Sequence, residues 1–148
     1  MNTSTSRSLA IACFVGCCAV AAFACPPAHA AGLDLTVTDL RTQQGSLRIA
    51  VADSAASWSD TEKAVAGTAR KPQGKEETFH FPDLPPGSYA VMVMHDENDN
   101  GKLDSNFMGM PIEGYGFSNN PGVMRKPTFE EARFELGAEG GAITVRLR

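Results

Sequence analysis

Apolar and polar residues alternate with a period of two along much of the chain after residue 30. Leu33, Leu35 and Val37 are separated by polar residues, and the same alternation recurs at 47–51 and 78–81. Because successive side chains of a β-strand point to opposite faces, this alternation is typical of strands with one buried and one solvated face. We therefore predict strands at these three places.

The segment SYAVMVMH, residues 88–95, is the most apolar run after residue 30, and it follows a proline- and glycine-rich turn at 82–87. Such a run predicts a central strand that is covered on both faces. Two further strands are predicted at 133–136 and 142–147, and a weaker one at 65–71. Many short strands with almost no helix predict an all-β fold, a single antiparallel β-sandwich of six to seven strands with one long loop.

Two short stretches fit single helical turns. Ser59 with Glu62 fits a capping pair for a turn after Trp58, and residues 129–132 fit a second turn. Neither stretch is long enough to change the predicted fold class.

The long loop, residues 105–128, departs from the strand pattern. A loop of this length inside a compact domain is uncommon, and such loops are usually functional or packed by their own side chains. Its apolar residues predict that it folds back over an edge or mouth of the sandwich, where it either protects the edge or contacts a ligand. These residues are Phe107, Met108, Met110, Ile112, Tyr115 and Phe117.

Residues 1–30 have the features of a secretory signal peptide. Arg7 supplies a positive charge, residues 9–24 are an unbroken run of apolar and small residues, and an A-x-A sequence ends at Ala30. We expect cleavage after Ala30, a mature β-sandwich domain at 31–148, and a periplasmic or secreted location.

All four cysteines lie within this leader. The mature domain is therefore expected to have no disulfide, no thiol nucleophile and no thiolate metal site. A lipoprotein acylated at Cys25 is the alternative to a cleaved leader, but the bulky Phe23 fits the corresponding recognition sequence poorly.

Acidic residues outnumber basic ones. Removal of Arg7 with the leader leaves 12 Lys+Arg against 17 Asp+Glu, a net charge of −5. This acidity argues against a surface for nucleic acid or for an anionic membrane. No segment after residue 30 is long and apolar enough for a membrane span. We expect a monomer whose partner is a small ligand, a glycan or an envelope protein.

The segment DENDNGKLD, residues 96–104, carries oxygen-bearing side chains at alternate positions, and we call it the polar loop. Gly101 permits the positive φ that a tight loop needs. Calcium takes about six to eight oxygen ligands, and calcium-binding loops supply them at this spacing. The predicted ligands are Asp96, Asn98, Asn100, the carbonyl oxygen of Lys102, and Asp104.

Position twelve of this loop, where a helix–loop–helix calcium site carries a bidentate glutamate, is Phe107. Glu113, Asp83 or water would have to supply a further ligand. With two carboxylates in the set, we expect a weak site with a Kd of about 10⁻⁴ to 10⁻³ M. The alternative is a turn that is stabilised by hydrogen bonds between side chains and backbone and binds no metal.

Two histidines lie after the leader. His80 alternates with phenylalanines and is expected to face solvent. His95 ends the predicted central strand, where with Asp96 or Glu113 it could serve as the general base of a hydrolase. The chain has no G-x-S-x-G, H-E-x-x-H or phosphate-binding glycine motif. We therefore expect a non-catalytic domain and keep the hydrolase as an alternative.

A carbohydrate- or small-ligand-binding module is a second alternative. Tyr115, Phe117 or Trp58 would stack on the ligand beside the polar loop. The candidate ligand-binding residues are Tyr115, Phe117, Glu113 and His95.

Two segments resemble known families. FPDLPPGSYAVMV, residues 81–93, resembles the turn and strand of transthyretin-like and collagen-adhesin B-type sandwiches. HDENDNGKLDSNFMGMPIEGYGFSNN (95–120) with KPTFEEARFEL (126–136) is more specific, and it is similar to the small exported bacterial proteins grouped as domain-of-unknown-function family 2141. The resemblance runs over about 33–147 and implies an exported all-β domain, transthyretin-like or immunoglobulin-like, without an established activity.

Export with cleavage after Ala30 is directly testable. The intact mass of the secreted protein should correspond to a chain that begins at Ala31, because the A-x-A sequence directs the signal peptidase to that bond. A lipid-bearing chain that begins at Cys25, or an uncleaved chain, would contradict this prediction.

Overall fold

The computed structural model describes residues 31–148, in which eight strands form two sheets around a shared apolar core. The leader and its cleavage site at Ala30 lie outside the described residues. The predicted all-β sandwich is confirmed. The strands are β1 (Ala31–Thr38), β2 (Ser46–Ala52), β3 (Ala66–Arg70), β4 (Glu77–Leu84), β5 (Gly87–Asp96), β6 (Gly114–Phe117), β7 (Phe134–Leu136) and β8 (Gly141–Arg146).

The smaller sheet has the strand order β4-β1-β8. β1 is antiparallel to β4 and parallel to β8. The parallel pair departs from the purely antiparallel prediction. A parallel pair needs a crossover connection instead of a hairpin, and here all the strands of the larger sheet lie in sequence between β1 and β8.

The larger sheet has the order β3-β2-β5-β6, and β7 pairs with the first residues of β5. β5 is therefore the central strand that the apolar run predicts. The weaker prediction at 65–71 is confirmed as β3, which lies at the edge of this sheet. Among the described residues, no helix is long and apolar enough to cross a membrane.

The core between the sheets consists of the alternate apolar residues that the period-two pattern marks. Burying each such side chain contributes about 1.5 to 3 kcal/mol, so this layer is the main source of stability. The side chains with no exposed surface are Leu33, Leu35 and Val37 of β1, Leu47 and Val51 of β2, Val91 and Val93 of β5, and Val145 of β8.

A second apolar layer covers the outer face of the larger sheet. Two short helices, α1 (Ala55–Ser59) and α2 (Phe129–Ala132), lie over this face and bury Trp58 and Phe129 against Phe117. The helical turn at 129–132 is confirmed, with Thr128 as its cap. The predicted Ser59 cap is wrong, because Ser59 ends α1 and Asp60 accepts the capping hydrogen bond from the backbone of Glu62.

The predicted long loop contains a strand. β6 pairs with β5 and occupies Gly114–Phe117, and Tyr115 exchanges two backbone hydrogen bonds with Arg148 at the end of the chain. This part of the loop does cover an edge, as predicted. The strand was not predicted from the sequence GYGF, because glycine has low strand propensity.

Gly116 is required by the close approach of β6 to the smaller sheet. A Cβ atom at this position would lie 2.7 Å from both the carbonyl oxygen of Arg146 and Cγ1 of Val145. At Gly122, by contrast, no atom lies within 4 Å of the position that a Cβ would take.

Replacing Gly116 with alanine should therefore lower the free energy of unfolding by about 1 to 3 kcal/mol, because the added methyl group forces strands apart. Gly122→Ala is the matched control and should change stability by less than about 0.5 kcal/mol. Urea unfolding followed by circular dichroism measures both. Equal midpoints for the two variants would show that β6 does not approach β8 this closely.

Candidate functional site

The carboxylate of Asp96 lies at the start of the polar loop and has no exposed surface. Its Oδ1 accepts a hydrogen bond from the backbone N–H of Asn100 at 3.0 Å, and its Oδ2 accepts one from the N–H of Gly101 at 2.7 Å. Asp96 thus closes the first turn of the loop through its own side chain. A buried carboxylate needs such donors, because an unpaired buried charge is costly.

Arg48 of β2 is the third partner of Asp96. Its Nε donates to Oδ2 of Asp96 at 2.9 Å. The two side chains share the outer face because Ser46, two residues before Arg48, pairs with Asp96. Burial alone raises the pKa of Asp96, but the bonds from Gly101, Arg48 and Asn100 outweigh it and hold the pKa below its ordinary value.

The side chains of two other predicted calcium ligands, Asn98 and Asn100, converge on Asp104 through their amide nitrogens. The Nδ2 atom of Asn98 lies 2.7 Å from Oδ2 of Asp104, and Nδ2 of Asn100 lies 3.0 Å from the same oxygen. The amide oxygens of Asn98 and Asn100 each accept a backbone N–H two residues further on, from Asn100 and Lys102. The loop is thus both a succession of Asx turns and a cluster of oxygen-bearing side chains.

The chemistry of this cluster fits a cation only in part. Asp104 and Asp96 are its only carboxylates among the predicted ligands, and the described residues contain no group of three or more histidine, cysteine or acidic side chains that could hold a metal. The amides of Asn98 and Asn100 would have to turn their oxygens toward an ion. Calcium tolerates such flexible, oxygen-only ligand sets better than magnesium does.

Glu113 connects the two ends of the loop. Its Oε1 accepts the N–H of Glu97 and its Oε2 accepts the N–H of Asp104, both at 2.9 Å. Glu113 is 5% exposed. It is one of the two residues considered for a further calcium ligand, and it lies next to the predicted ligand Asp104. The other, Asp83, is exposed in β4 of the smaller sheet and makes no hydrogen bond to the loop in the described part of the chain.

The backbone of the loop is in the left-handed region at Asp99 (φ 59°) and Gly101 (φ 82°). Glycine adopts this region without cost, and aspartate tolerates it better than most residues. Asp99 lies between predicted ligand positions, and its side chain makes none of the hydrogen bonds within the loop.

Beyond the loop, residues 105–112 form a tight hairpin, which we call the apolar hairpin, with Ser105 bridged to Pro111. The backbone N–H of Asn106 donates to the carbonyl of Met110, and the side-chain oxygen of Asn106 accepts the N–H groups of Met108 and Met110. Phe107 is 98% exposed and Met108 is 71% exposed. The prediction that these residues fold back over the sandwich is wrong, because the hairpin turns away from the core.

His95 lies inside the sandwich, at one end of the core, with no exposed surface. Its Nε2 bonds to the carbonyl oxygen of Gln44 at 2.8 Å, which makes Nε2 the donor. Its Nδ1 is buried and has no hydrogen-bond partner among the described residues. The hydrolase alternative requires His95 with Asp96 or Glu113. The carboxylate of Asp96 faces the opposite side of β5 and that of Glu113 accepts two backbone N–H groups of the loop, so His95 is hydrogen-bonded to neither.

Tyr115 and Phe117 stand on the outer face of the larger sheet, opposite Met94 and Met92 in β5. Phe117 is buried, and the guanidinium of Arg148 lies 5.5 Å from the centre of the Tyr115 ring. Since His95 faces inward and Glu113 is engaged with the loop backbone, the four candidate ligand-binding residues do not share one cleft.

Trp58 is also covered. It is 5% exposed, its Nε1 donates to the carbonyl of Pro127, and Nζ of Lys126 lies 5.1 Å from its ring centre. Burial lowers the pKa of Lys126. A buried indole that is packed on Phe117 is part of the second apolar layer and offers no open face for stacking on a sugar.

A groove of about 560 Å³ crosses the outer face of the larger sheet. Ala50, Met92 and Met94 contribute to its floor, and the segment 101–103 of the polar loop forms part of its wall. Sequence analysis missed this groove and the role of Arg48. The outward positions of β2 and β5 are visible in the alternation, but their pairing register is not.

The described residues form an all-β sandwich. Export is indicated only by features of the sequence. The chain matches, over residues 35–144, the family described as an uncharacterized protein conserved in bacteria, DUF2141. It therefore belongs to this family. No curated protein and no solved structure matches the chain, and the transthyretin-like resemblance of the core stays a prediction.

The contacts of Asp96 and Asp104 predict unequal effects on stability without calcium. Asp96→Ala should lower the free energy of unfolding by about 2 to 4 kcal/mol, because it removes a buried charged acceptor from three donors. Asp104→Ala should cost less than about 1 kcal/mol, because its partners are exposed amides. Urea unfolding in chelator measures both values, and a reversed order would contradict the assigned anchor role of Asp96.

Proposed function

We propose that this protein is an exported, non-catalytic β-sandwich that binds a partner through its polar loop and apolar hairpin, and that calcium stabilises the loop. The observation that carries the proposal is the convergence of Asn98 and Asn100 on Asp104, beside the anchored carboxylate of Asp96. Carboxylate oxygens, together with the oxygens of the two amides once these turn toward an ion, are the ligands that calcium prefers.

The chemistry of the loop supports a weak site. An ion would have to displace the contacts between Asp104 and the two asparagine amides, and it would gain only two formal negative charges from the predicted ligands. We therefore expect a Kd of about 10⁻⁴ to 10⁻³ M, in the range of extracellular calcium modules. Such a site would fill only where calcium is plentiful, which agrees with the proposed periplasmic or secreted location.

The position of the loop supports a role in presentation. The chain runs from Asp104 directly into the hairpin at Ser105, and the carbonyl of Asp104 accepts the N–H of Ile112 on the hairpin's return. Arg41 braces the same region, since its Nη2 donates to both Glu97 and the carbonyl of Ile112. Fixing Asp104 therefore fixes the base of the apolar hairpin.

The engagement of the candidate acid–base groups supports a non-catalytic role. Asp96 and Glu113 accept backbone hydrogen bonds of the loop, and His95 is buried with its Nε2 on Gln44. A general base must reach the proton that it removes, and the side chain of His95 has no exposed surface.

Calcium at about 10 to 50 mM should raise the melting temperature of the purified, processed protein by about 5 °C, whereas magnesium at equal ionic strength should not. The ion binds only the folded state, so it adds about 1 to 2 kcal/mol of stability at a ten- to fiftyfold excess over Kd. Thermal melts in calcium, magnesium and chelator measure the shift.

Two variants with the same chemical change provide the control. Asp104→Asn should remove most of the calcium-dependent shift, because it takes away a ligand charge. Asp99→Asn removes an equal charge from the same loop at a position between ligands and should keep most of the shift. Identical melting temperatures in all three solutions, or equal losses in both variants, would leave the loop as a turn without a metal.

A further inference from the structure

The apolar hairpin is the largest uncovered apolar feature among the described residues. Phe107 is 98% exposed, Met108 71%, Ile112 55% and Met110 41%. Single exposed apolar side chains are common on protein surfaces, but a contiguous group of large ones marks an interaction site. A partner with an apolar groove would bury these side chains and remove them from water.

The hydrogen bonds of Asn106 hold this surface in one conformation. Its backbone and side chain make four of the hairpin's contacts, including the bond from the N–H of Gly109 to its carbonyl oxygen. The carbonyl oxygens of Phe107 and Met108 accept no hydrogen bond from the described residues. The hairpin thus presents apolar side chains together with two free acceptors, and its own hydrogen bonds reduce the ordering that a partner would have to impose.

The groove on the outer face of the larger sheet has complementary properties. Its floor includes Met92 and Met94 with the small Ala50, and its volume of about 560 Å³ is in the range of ligand pockets. Methionine side chains adapt to irregular apolar surfaces. Arg48 lines the same groove, and its one hydrogen bond to the described residues is the bond from Nε to Asp96, which leaves both Nη groups as donors.

We propose that this protein associates with a second copy of itself, with the apolar hairpin of each copy seated in the Met92 and Met94 groove of the other. Phe107 and Met108 fill the groove, and the Nη groups of Arg48 donate to the carbonyl oxygens of the hairpin turn. The inference goes beyond calcium binding and requires no metal.

The connection between hairpin and groove favours a second copy over other partners. The segment 101–103 forms part of the groove wall and continues into the hairpin at Ser105. A twofold axis between two copies can therefore form the same contact twice, from the hairpin of each copy to the groove of the other. An anionic membrane is disfavoured, because residues 96–113 contain five acidic side chains and a single lysine. A neutral membrane offers no donor for the free carbonyls.

Sedimentation velocity of the purified, processed protein tests the inference, at concentrations from about 1 μM to 1 mM in chelator and again in calcium. We expect a concentration-dependent shift from monomer to dimer in both solutions. Phe107→Ser should weaken dimerisation roughly a thousandfold, because a central anchor residue contributes about thirtyfold and the symmetric dimer loses two of them. Met124→Ser is the matched control, since Met124 is 78% exposed but lies outside the hairpin and the groove, and it should leave dimerisation unchanged.

A second variant tests the groove itself. Ala69 is exposed on the edge strand β3 and lines the groove, so Ala69→Trp should fill it without disturbing the core. Ala69→Trp alone and Phe107→Ser alone should both be largely monomeric. An equimolar mixture of the two should recover part of the dimer, because one intact hairpin then meets one open groove.

Three results would overturn the inference. The first is a monomer at every concentration. The second is dimerisation that survives Phe107→Ser or Ala69→Trp, and the third is a mixture of the two variants that stays monomeric although wild type dimerises. Cosedimentation of a monomeric wild-type protein with phosphatidylcholine vesicles, lost in Phe107→Ser, would assign the hairpin to a lipid surface instead. Failure of the calcium melts would leave all of these outcomes unaffected.

Discussion

The buried carboxylate of Asp96 is the contact on which the rest of the site depends. It accepts the N–H groups of Asn100 and Gly101 and the Nε of Arg48, and so ties the polar loop to the neighbouring strand β2. Because β5 ends at this residue, the carboxylate converts the end of the central strand into a defined turn. An ionised group without exposed surface is stable only with such donors, which explains why the loop backbone curls around it.

The polar loop carries this order outward to the apolar hairpin. Glu113 joins the two ends of the loop through the N–H groups of Glu97 and Asp104. Arg41 bonds to both the carboxylate of Glu97 and the carbonyl oxygen of Ile112, where the hairpin ends. Phe107 and Met108 therefore lie exposed on a hydrogen-bonded support. A flexible loop with the same side chains would lose more conformational entropy on binding. The arrangement suits the partner-binding role that we propose for this surface.

Local pattern and tertiary packing divide the candidate site between them. The turn from Asp96 to Asp104 and the position of Gly101 in it were predictable, because a loop of this kind is built from contacts between residues two to five apart. The positions of His95, Tyr115 and Glu113 were not. Successive residues of a strand face opposite sides of a sheet and paired residues share a side. His95 therefore turns into the core, whereas Tyr115, which pairs with Met94, turns to the outer face.

The amino-acid sequence by itself determined the fold class, the core and the course of most strands, since the period-two alternation at Leu33 to Val37 and its repeats states which side chains are buried. Tertiary structure alone decided that GYGF forms β6. Gly116 is required there because Arg146 and Val145 of the smaller sheet leave no room for a side chain. Tertiary structure also decided that Phe107 is exposed, since hydrophobicity favours burial but the hydrogen bonds of Asn106 close the hairpin on itself and leave Phe107 at its exposed turn.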